Sequence, residues 1–275
     1  MQRQIDSFRG YLMTEEKSSA TISKYIRDIR AFLEFIGERK ITRECVIDYK
    51  KKLIAEGYAV RSINSMLASL NCFFDFTDRS DCKVKSLKLQ KEIYRSEEKE
   101  LTKAEYERLC RAAERKGKGR LCMLLQTVCG TGIRVSELPF ITVEAVKSGE
   151  ALVTCKGKTR TVFLVKALRK KLLRYAASKG IRSGCIFITR TGAPLDRTDI
   201  WREMKNLCAE AEVNPQKVFP HNLRHLFARV FYSMEKDIAK LADILGHSSI
   251  NTTRIYIIST GNEHRQRMEN MHLIL

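Results

Sequence analysis

Apolar residues recur at helical spacing through the first third of the chain. In I-S-K-Y-I-R-D-I-R-A-F-L-E-F-I, Ile22, Tyr25, Ile26, Ile29, Phe32, Leu33 and Ile36 share one face, and Lys24, Arg27 and Glu34 fall on the other. That is the pattern of an amphipathic helix with one buried side. A second helix is expected to open at Thr42, a good N-cap, and to close at Gly57. A third is expected from Arg61 to Phe76, burying Ile63, Leu67, Leu70, Phe73 and Phe74. Its opposite face carries Arg61, Asn64, Ser65 and Ala68, small or hydrogen-bonding groups with few acids. Such a face suits a DNA major groove or plain solvent equally well.

Periodicity fades over residues 81–100, which are polar and charge-rich. They read as a basic linker, 83–100, between an N-terminal domain over 1–82 and a C-terminal domain over 101–275. Its lysines, among them Lys83 and Lys85, are able to follow a phosphate backbone. Thr102 and Glu105 form a capping box at the start of the second domain. Helices are expected there over 103–115, 118–129, 166–179, 197–212, 221–233, 236–245 and 250–258, with a short one from Arg134 after a G-T-G turn. Strand alternation occurs in A-L-V-T-C (151–155) and T-V-F-L-V (161–165), which K-G-K-T-R joins as a hairpin, and C-I-F-I-T (185–189) is a candidate third strand. The fold class is therefore mainly α: a helical N-terminal domain and a mostly helical second domain with a small antiparallel sheet.

Charge narrows the function. The 275 residues carry a net charge of +19. Residues 1–97 hold 19 basic and 14 acidic groups and residues 98–275 hold 32 and 18, so most of the excess lies in the second domain. Such a balance favours a polyanionic partner, nucleic acid first, over a merely charged surface. Nine cysteines without a C-x-x-C pair read as reduced thiols and argue against a disulfide framework or a structural zinc site. Charges near the N-terminus exclude a signal peptide, and no apolar run reaches membrane-spanning length, so a cytoplasmic protein is expected.

Four short motifs hold the polar groups that attack on a phosphodiester requires. Arg134 lies in G-T-G-I-R-V-S-E-L, Lys156 in C-K-G-K-T-R, His221 and Arg224 in P-H-N-L-R-H, and His247 and Tyr256 in L-G-H-S-S-I-N-T-T-R-I-Y. Arginine suits the non-bridging phosphate oxygens because it is permanently charged and grips two oxygens at once. The i, i+3 spacing puts His221 and Arg224 on one helical face. His221 and His225 also make an i, i+4 pair, but Asn222 stands where a zinc protease needs glutamate, so His225 reads as a packing residue and no metal is expected. Singly, each piece is commonplace: an arginine after a glycine turn is usually a surface or capping residue, and a tyrosine in I-Y-I-I is usually core.

In order and separation, the six residues resemble the catalytic set of the tyrosine recombinases, the phage-integrase family, and the resemblance spans about residues 10–260. It implies a site-specific DNA recombinase of the compact Xer-like kind, with an N-terminal core-binding domain and a C-terminal catalytic domain. Such an enzyme works through a 3′-phosphotyrosyl intermediate for integration, excision, inversion or dimer resolution. By resemblance Tyr256 is the nucleophile, Arg134 and Arg224 clamp the phosphate, Glu137 orients Arg134, and His221 and His247 complete the set. Lys156 resembles the general acid toward the 5′-oxygen; because Cys155 replaces a glycine and the turn looks one residue short, Lys158 is a competitor. Lys24, Arg27, Arg61, Asn64, Ser65, Lys83 and Lys85 are the expected DNA contacts. No cofactor is expected, because a phosphotyrosyl ester conserves the bond energy. The expected partners are inverted-repeat DNA sites and three further copies of the chain, which residues 262–275 dock if they do not pack internally. Two other functions stay open: a non-catalytic DNA-binding regulator that keeps the fold, and a type IB topoisomerase, against which the short length argues.

Overall fold

The computed structural model describes residues 2–89, 97–155, 157–256 and 268–271, and the chain divides into two compact units, residues 1–91 and 92–275. In the first unit, α1 (Gln2–Thr14), α2 (Ser19–Ile36), α3 (Arg43–Ala55) and α4 (Val60–Phe76) bury their apolar stripes against one another. Ser18 and Thr42 cap α2 and α3 by accepting from the amides of Thr21 and Cys45. Phe8, Ile29, Phe32, Leu67 and Phe74 lie at the centre.

Residues 83–89, the start of the expected linker, pack along the first unit. Val84 is buried in the core of the first unit, and two asparagines of α4 hold the backbone that follows. Asn71 donates to the Val84 carbonyl at 3.0 Å and accepts its amide at 3.2 Å. Asn64 does the same for Leu87, at 2.9 and 2.8 Å. A side-chain amide imitates a neighbouring strand here, an interaction without a periodic trace in sequence.

The second unit opens with α5 (Lys103–Arg115), capped by the Thr102–Glu105 box, and α6 (Gly119–Thr131), whose Leu121, Leu124, Leu125 and Val128 are buried. A 3-10 helix, Val135–Phe140, follows where a short helix is expected, and then α7 (Val143–Ser148), which the periodicity does not announce. Strands β1 (Glu150–Cys155) and β2 (Lys158–Phe163) pair antiparallel, with Cys155 opposite Lys158 and Val153 opposite Arg160. β2 therefore begins three residues earlier than expected, because Gly157 at φ 73° permits a tight turn and releases Lys158, Thr159 and Arg160 to the strand. Among the described residues 185–189 form no strand, only single bridges from Cys185 to Thr142 and from Ile188 to Pro194.

Helices α8 (Lys166–Ser178), α9 (Arg197–Lys205), α10 (Pro220–Glu235), α11 (Ile238–Leu245) and α12 (Ile250–Arg254) complete the unit. α9 stops seven residues before the expected 212. Ser249 caps α12 by accepting from the amide of Asn251. The expected C-terminal docking segment, 262–275, lies outside the described residues except for 268–271. No helix among the described residues is long and apolar enough to cross a membrane.

Candidate active site

Arg224 lies on α10 and is 1% exposed. Its guanidinium is wedged between two helix C-termini. Nη1 donates to the carbonyl of Gly132, the left-handed cap of α6, and Nη2 donates to the carbonyl of Leu245, the last residue of α11, at 2.7 Å. Both carbonyls carry the negative end of a helix dipole, which offsets the burial of a cation. Burial, and then the charge of Arg134, still push the Arg224 pKa down to about 10. Gly132 is required for two reasons: φ is 66°, and a Cβ would approach Phe227 to 2.5 Å and Leu245 to 2.9 Å.

The remaining guanidinium nitrogen contact fixes His247. Arg224 Nη2 stands 3.0 Å from His247 Nε2, and an arginine only donates, so Nε2 accepts. The ring proton then belongs on Nδ1, which lies 2.8 Å from the hydroxyl of buried Thr253. Burial, followed by the charges of Arg224, Arg134 and Arg160, lowers the His247 pKa to about 4, so the ring is neutral near pH 7.

Tyr256, 5% exposed, follows α12. Its hydroxyl is 3.2 Å from His221 Nε2 at the first turn of α10, and its ring lies against those of His225 (4.2 Å between centroids) and His247 (5.3 Å). A side-chain interaction with the Tyr256 hydroxyl also counters the loss of charge on Arg224. The expected packing role of His225 is met, since it is buried against the tyrosine ring.

Arg134 begins the 3-10 turn. Glu137, 1% exposed, binds its Nη1 at 2.8 Å and its backbone amide at 2.9 Å, then reaches Arg160 Nη2 at 2.9 Å. A carboxylate so deeply buried requires such cationic partners. The structure thus brings together five of the six expected residues: Arg134, His221, Arg224, His247 and Tyr256. Lys156 and the side chain of Lys158 lie outside the described residues.

Two members of the cluster escape sequence reading. Thr253 is hidden among polar neighbours, and its only signal is the i−3 relation to Tyr256. Arg160 shares the inward face of β2 with buried Val162, a place where a charge is conspicuous once the strand boundary is known. Among the described residues no group of three or more His, Cys, Asp and Glu is arranged to hold a metal ion.

In the first unit, three of the expected DNA contacts have intramolecular work. Lys24 is closed on Asp28 at 2.7 Å, the Ser65 carbonyl at 2.6 Å and Ser69 at 3.0 Å, because buried Asp28 needs a counter-charge. Asn64 clamps Leu87, and Lys83 pairs with Asp75 at 2.8 Å. Arg27, Arg61, Ser65 and Lys85 are exposed, Arg27 with a long 3.8 Å pair to Asp28.

Two arginines, three histidines and a tyrosine are gathered within one helical unit, a set of side chains suited to a phosphate group. Residues 99–263 match the phage integrase family and residues 5–80 match the phage integrase N-terminal SAM-like domain. The chain belongs to the phage integrase family of tyrosine recombinases, enzymes that transfer DNA strands by transesterification. It is 30% identical to tyrosine recombinase XerA of Pyrococcus furiosus, over 98% of this chain and 94% of that one. It is 27% identical to tyrosine recombinase XerD of Halalkalibacterium halodurans, over 93% and 92%. The fold is that of a lambda integrase (75–356) dimer bound to a COC′ core site, with a TM-score of 0.75 at 18% identity over 94% of this chain and 95% of that one. The XerH recombinase in its post-cleavage complex with a palindromic difH substrate has a TM-score of 0.71 at 19% identity, over 93% and 79%.

Proposed function

We propose that this protein is a site-specific DNA recombinase in which Tyr256 attacks the scissile phosphate. The hydroxyl proton passes to His221, the tyrosine oxygen bonds to phosphorus, and the bond from phosphorus to the 5′-oxygen breaks. Lys156 or Lys158, on the hairpin, gives the leaving oxygen its proton. Arg134 and Arg224 meet the charge on the non-bridging oxygens, where fixed cations stabilise the transition state without reorganising. His247, neutral with Nδ1–H held by Thr253, is ready to donate through Nε2 once protonated or to accept from Arg224 as now. Rejoining runs the same steps backward with the 5′-hydroxyl of a second strand, so the ester bond energy is kept and no nucleotide is consumed.

The observation that carries this reading is the convergence of Tyr256, His221, Arg224 and His247 through contacts of 3.2 and 3.0 Å. The first turns of α10, the turn after α11 and the end of α12 have no structural need to meet in this polar combination. Arg27, Arg61, Ser65 and Lys85 are proposed to touch DNA from the first unit. A tetramer on paired inverted-repeat sites is proposed as the working assembly; a solved lambda integrase is a tetramer on a Holliday junction.

The test is a nicked duplex that traps the covalent intermediate. Wild type is expected to form an SDS-resistant adduct, while Tyr256→Phe binds the same DNA and forms none. An adduct that persists in Tyr256→Phe removes the assignment. Binding without any adduct, even in wild type, points instead to a DNA-binding regulator.

A further inference from the structure

Arg160 is a charged residue on the inward face of a strand. Val153 stands opposite it on β1, and its neighbour on the same face, Val162, is buried. Its side chain is 13% exposed, and Nη2 donates to Glu137 Oε2 at 2.9 Å. The same carboxylate holds Arg134 by both Nη1 and the backbone amide. One acid therefore joins the turn that presents Arg134 to the strand that carries Arg160.

The aliphatic stem of Arg160 makes a second connection. It passes so close to Gly246 that a Cβ there would lie 2.4 Å from Arg160 Cδ and 2.7 Å from Nε. Gly246 caps α11 and directly precedes His247. A single side chain thus touches the supports of two site residues from opposite ends, its head group reaching Glu137 and its stem the turn before His247. It does so from the strand that follows the hairpin turn, four residues beyond Lys156 and two beyond Lys158. An apolar residue would serve the core better, since desolvating a guanidinium is costly unless its contacts are used.

We propose that Arg160 is a positioning residue for strand transfer, tying the lysine-bearing hairpin to Glu137 and Gly246 so that Arg134, His247 and the hairpin keep a common geometry. It rests on the reading of this centre as the recombinase active site. Arg160 acts through Glu137 and Gly246 rather than on the phosphate itself. Its charge also reaches His247, whose ring is faced by Arg224 and His221 of α10, Arg134 of the 3-10 turn, Arg160 of β2, the Thr253 hydroxyl of α12 and the Tyr256 ring just after it.

Full-length wild type, Arg160→Met, Arg160→Lys, Glu137→Gln and the Glu137→Gln/Arg160→Met double variant are compared in two measurements. The first is the single-turnover rate of adduct formation on the nicked duplex at saturating protein. The second is the titration of the His247 ring by NMR without DNA. Arg160→Met keeps a stem but loses the pair. It is expected to cleave about 10²-fold more slowly, as for a displaced catalytic group, with DNA affinity within about threefold of wild type. Arg160→Lys, with the charge but a single flexible donor, is expected to lose about tenfold. The double variant is expected to be no slower than its slower parent, because both changes break one chain of contacts. The His247 midpoint should rise in Arg160→Met and stay at the wild-type position in Arg160→Lys; loss of burial would raise it in both variants, so the difference between them separates charge from packing.

Wild-type cleavage rates in both Arg160 variants overturn the proposal, and so do multiplicative losses in the double variant or an unmoved His247 midpoint in Arg160→Met. If Arg160→Met does not fold, the tenfold loss in Arg160→Lys at an unchanged midpoint carries the test. If wild type forms no adduct at all, the strand-transfer reading has failed. The His247 titration and the coupling of Arg160 to Glu137 in thermal stability, which need no DNA, then decide the positional role separately.

Discussion

Arg134 and Arg224 are proposed to share one chemical task, but their surroundings give their loss different consequences. Arg134 is partly exposed and held by a single carboxylate, whereas Arg224 is fully buried and satisfies two helix ends. Each Arg→Ala change is expected to slow cleavage by about 10²–10³-fold, as for loss of one oxyanion donor, with much smaller effects on DNA binding. Only Arg224→Ala is expected to lower stability substantially, by about 2–4 kcal/mol, because it strands buried carbonyls and leaves a cavity. Thermal melting of the two variants checks this, and equal melting temperatures contradict the buried geometry. His247 supplies a pH dependence. Its folded pKa is about 4, below the ordinary 6.5, so between these values the unfolded chain takes up a proton that the folded chain refuses. The stability contributed by this group is therefore complete above about pH 6.5 and lost as pH falls toward 4. The melting temperature of wild type should drop across that window more steeply than that of His247→Gln. Parallel curves would show that His247 is not held neutral by its burial and its arginine neighbours.

At the scale of elements, the glycine turns decide where the arginines and histidines point. Gly132 and Gly246 both adopt left-handed conformations, and both have a neighbour where a Cβ would go: Phe227 in one case and Arg160 in the other. Gly246→Ala is expected to destabilise by about 1–3 kcal/mol through backbone strain and contact with Arg160. Gly10→Ala, in open space on α1, is expected to stabilise by about 0.4–1 kcal/mol. Denaturant titration measures both, and a neutral Gly246→Ala would mean that Arg160 does not cross this turn. The start of α3 at Thr42 and the bounds of α5 were legible because a capping residue is a local quantity. The start of β2 was not, since Lys158, Thr159 and Arg160 have no apolar alternation of their own and become strand only by pairing with Val153, Thr154 and Cys155. α7 was too short for its period to register. The run after α4 looked like a linker because its polar composition carries no sign of the asparagine clamps that hold it.

For the whole molecule, the charge excess and the proposed DNA contacts in both units imply many phosphate contacts. Each is expected to contribute about −0.9 to the slope of log K against log salt, so a slope steeper than about −3 is predicted. A shallower slope, measured by fluorescence anisotropy on a duplex of one half-site, would mean that one unit leaves the DNA alone. Periodicity and composition determined that this chain is mainly helical and basic, and the resemblance of its motifs to a known family pointed to strand transfer. Those motifs also supplied five of the residues that the fold gathers, because the chemistry demands particular side chains in a particular order. What the tertiary structure alone decided is who holds whom. Lys24, Asn64 and Lys83, expected DNA contacts in a linear reading, each also have a partner within their own unit. Arg160 looks like one more basic residue in a loop, yet it lies between Glu137 and Gly246. The reason is physical: the cost of a buried charge and the shape of a turn depend on neighbours from distant segments, and no local pattern records which segments those will be.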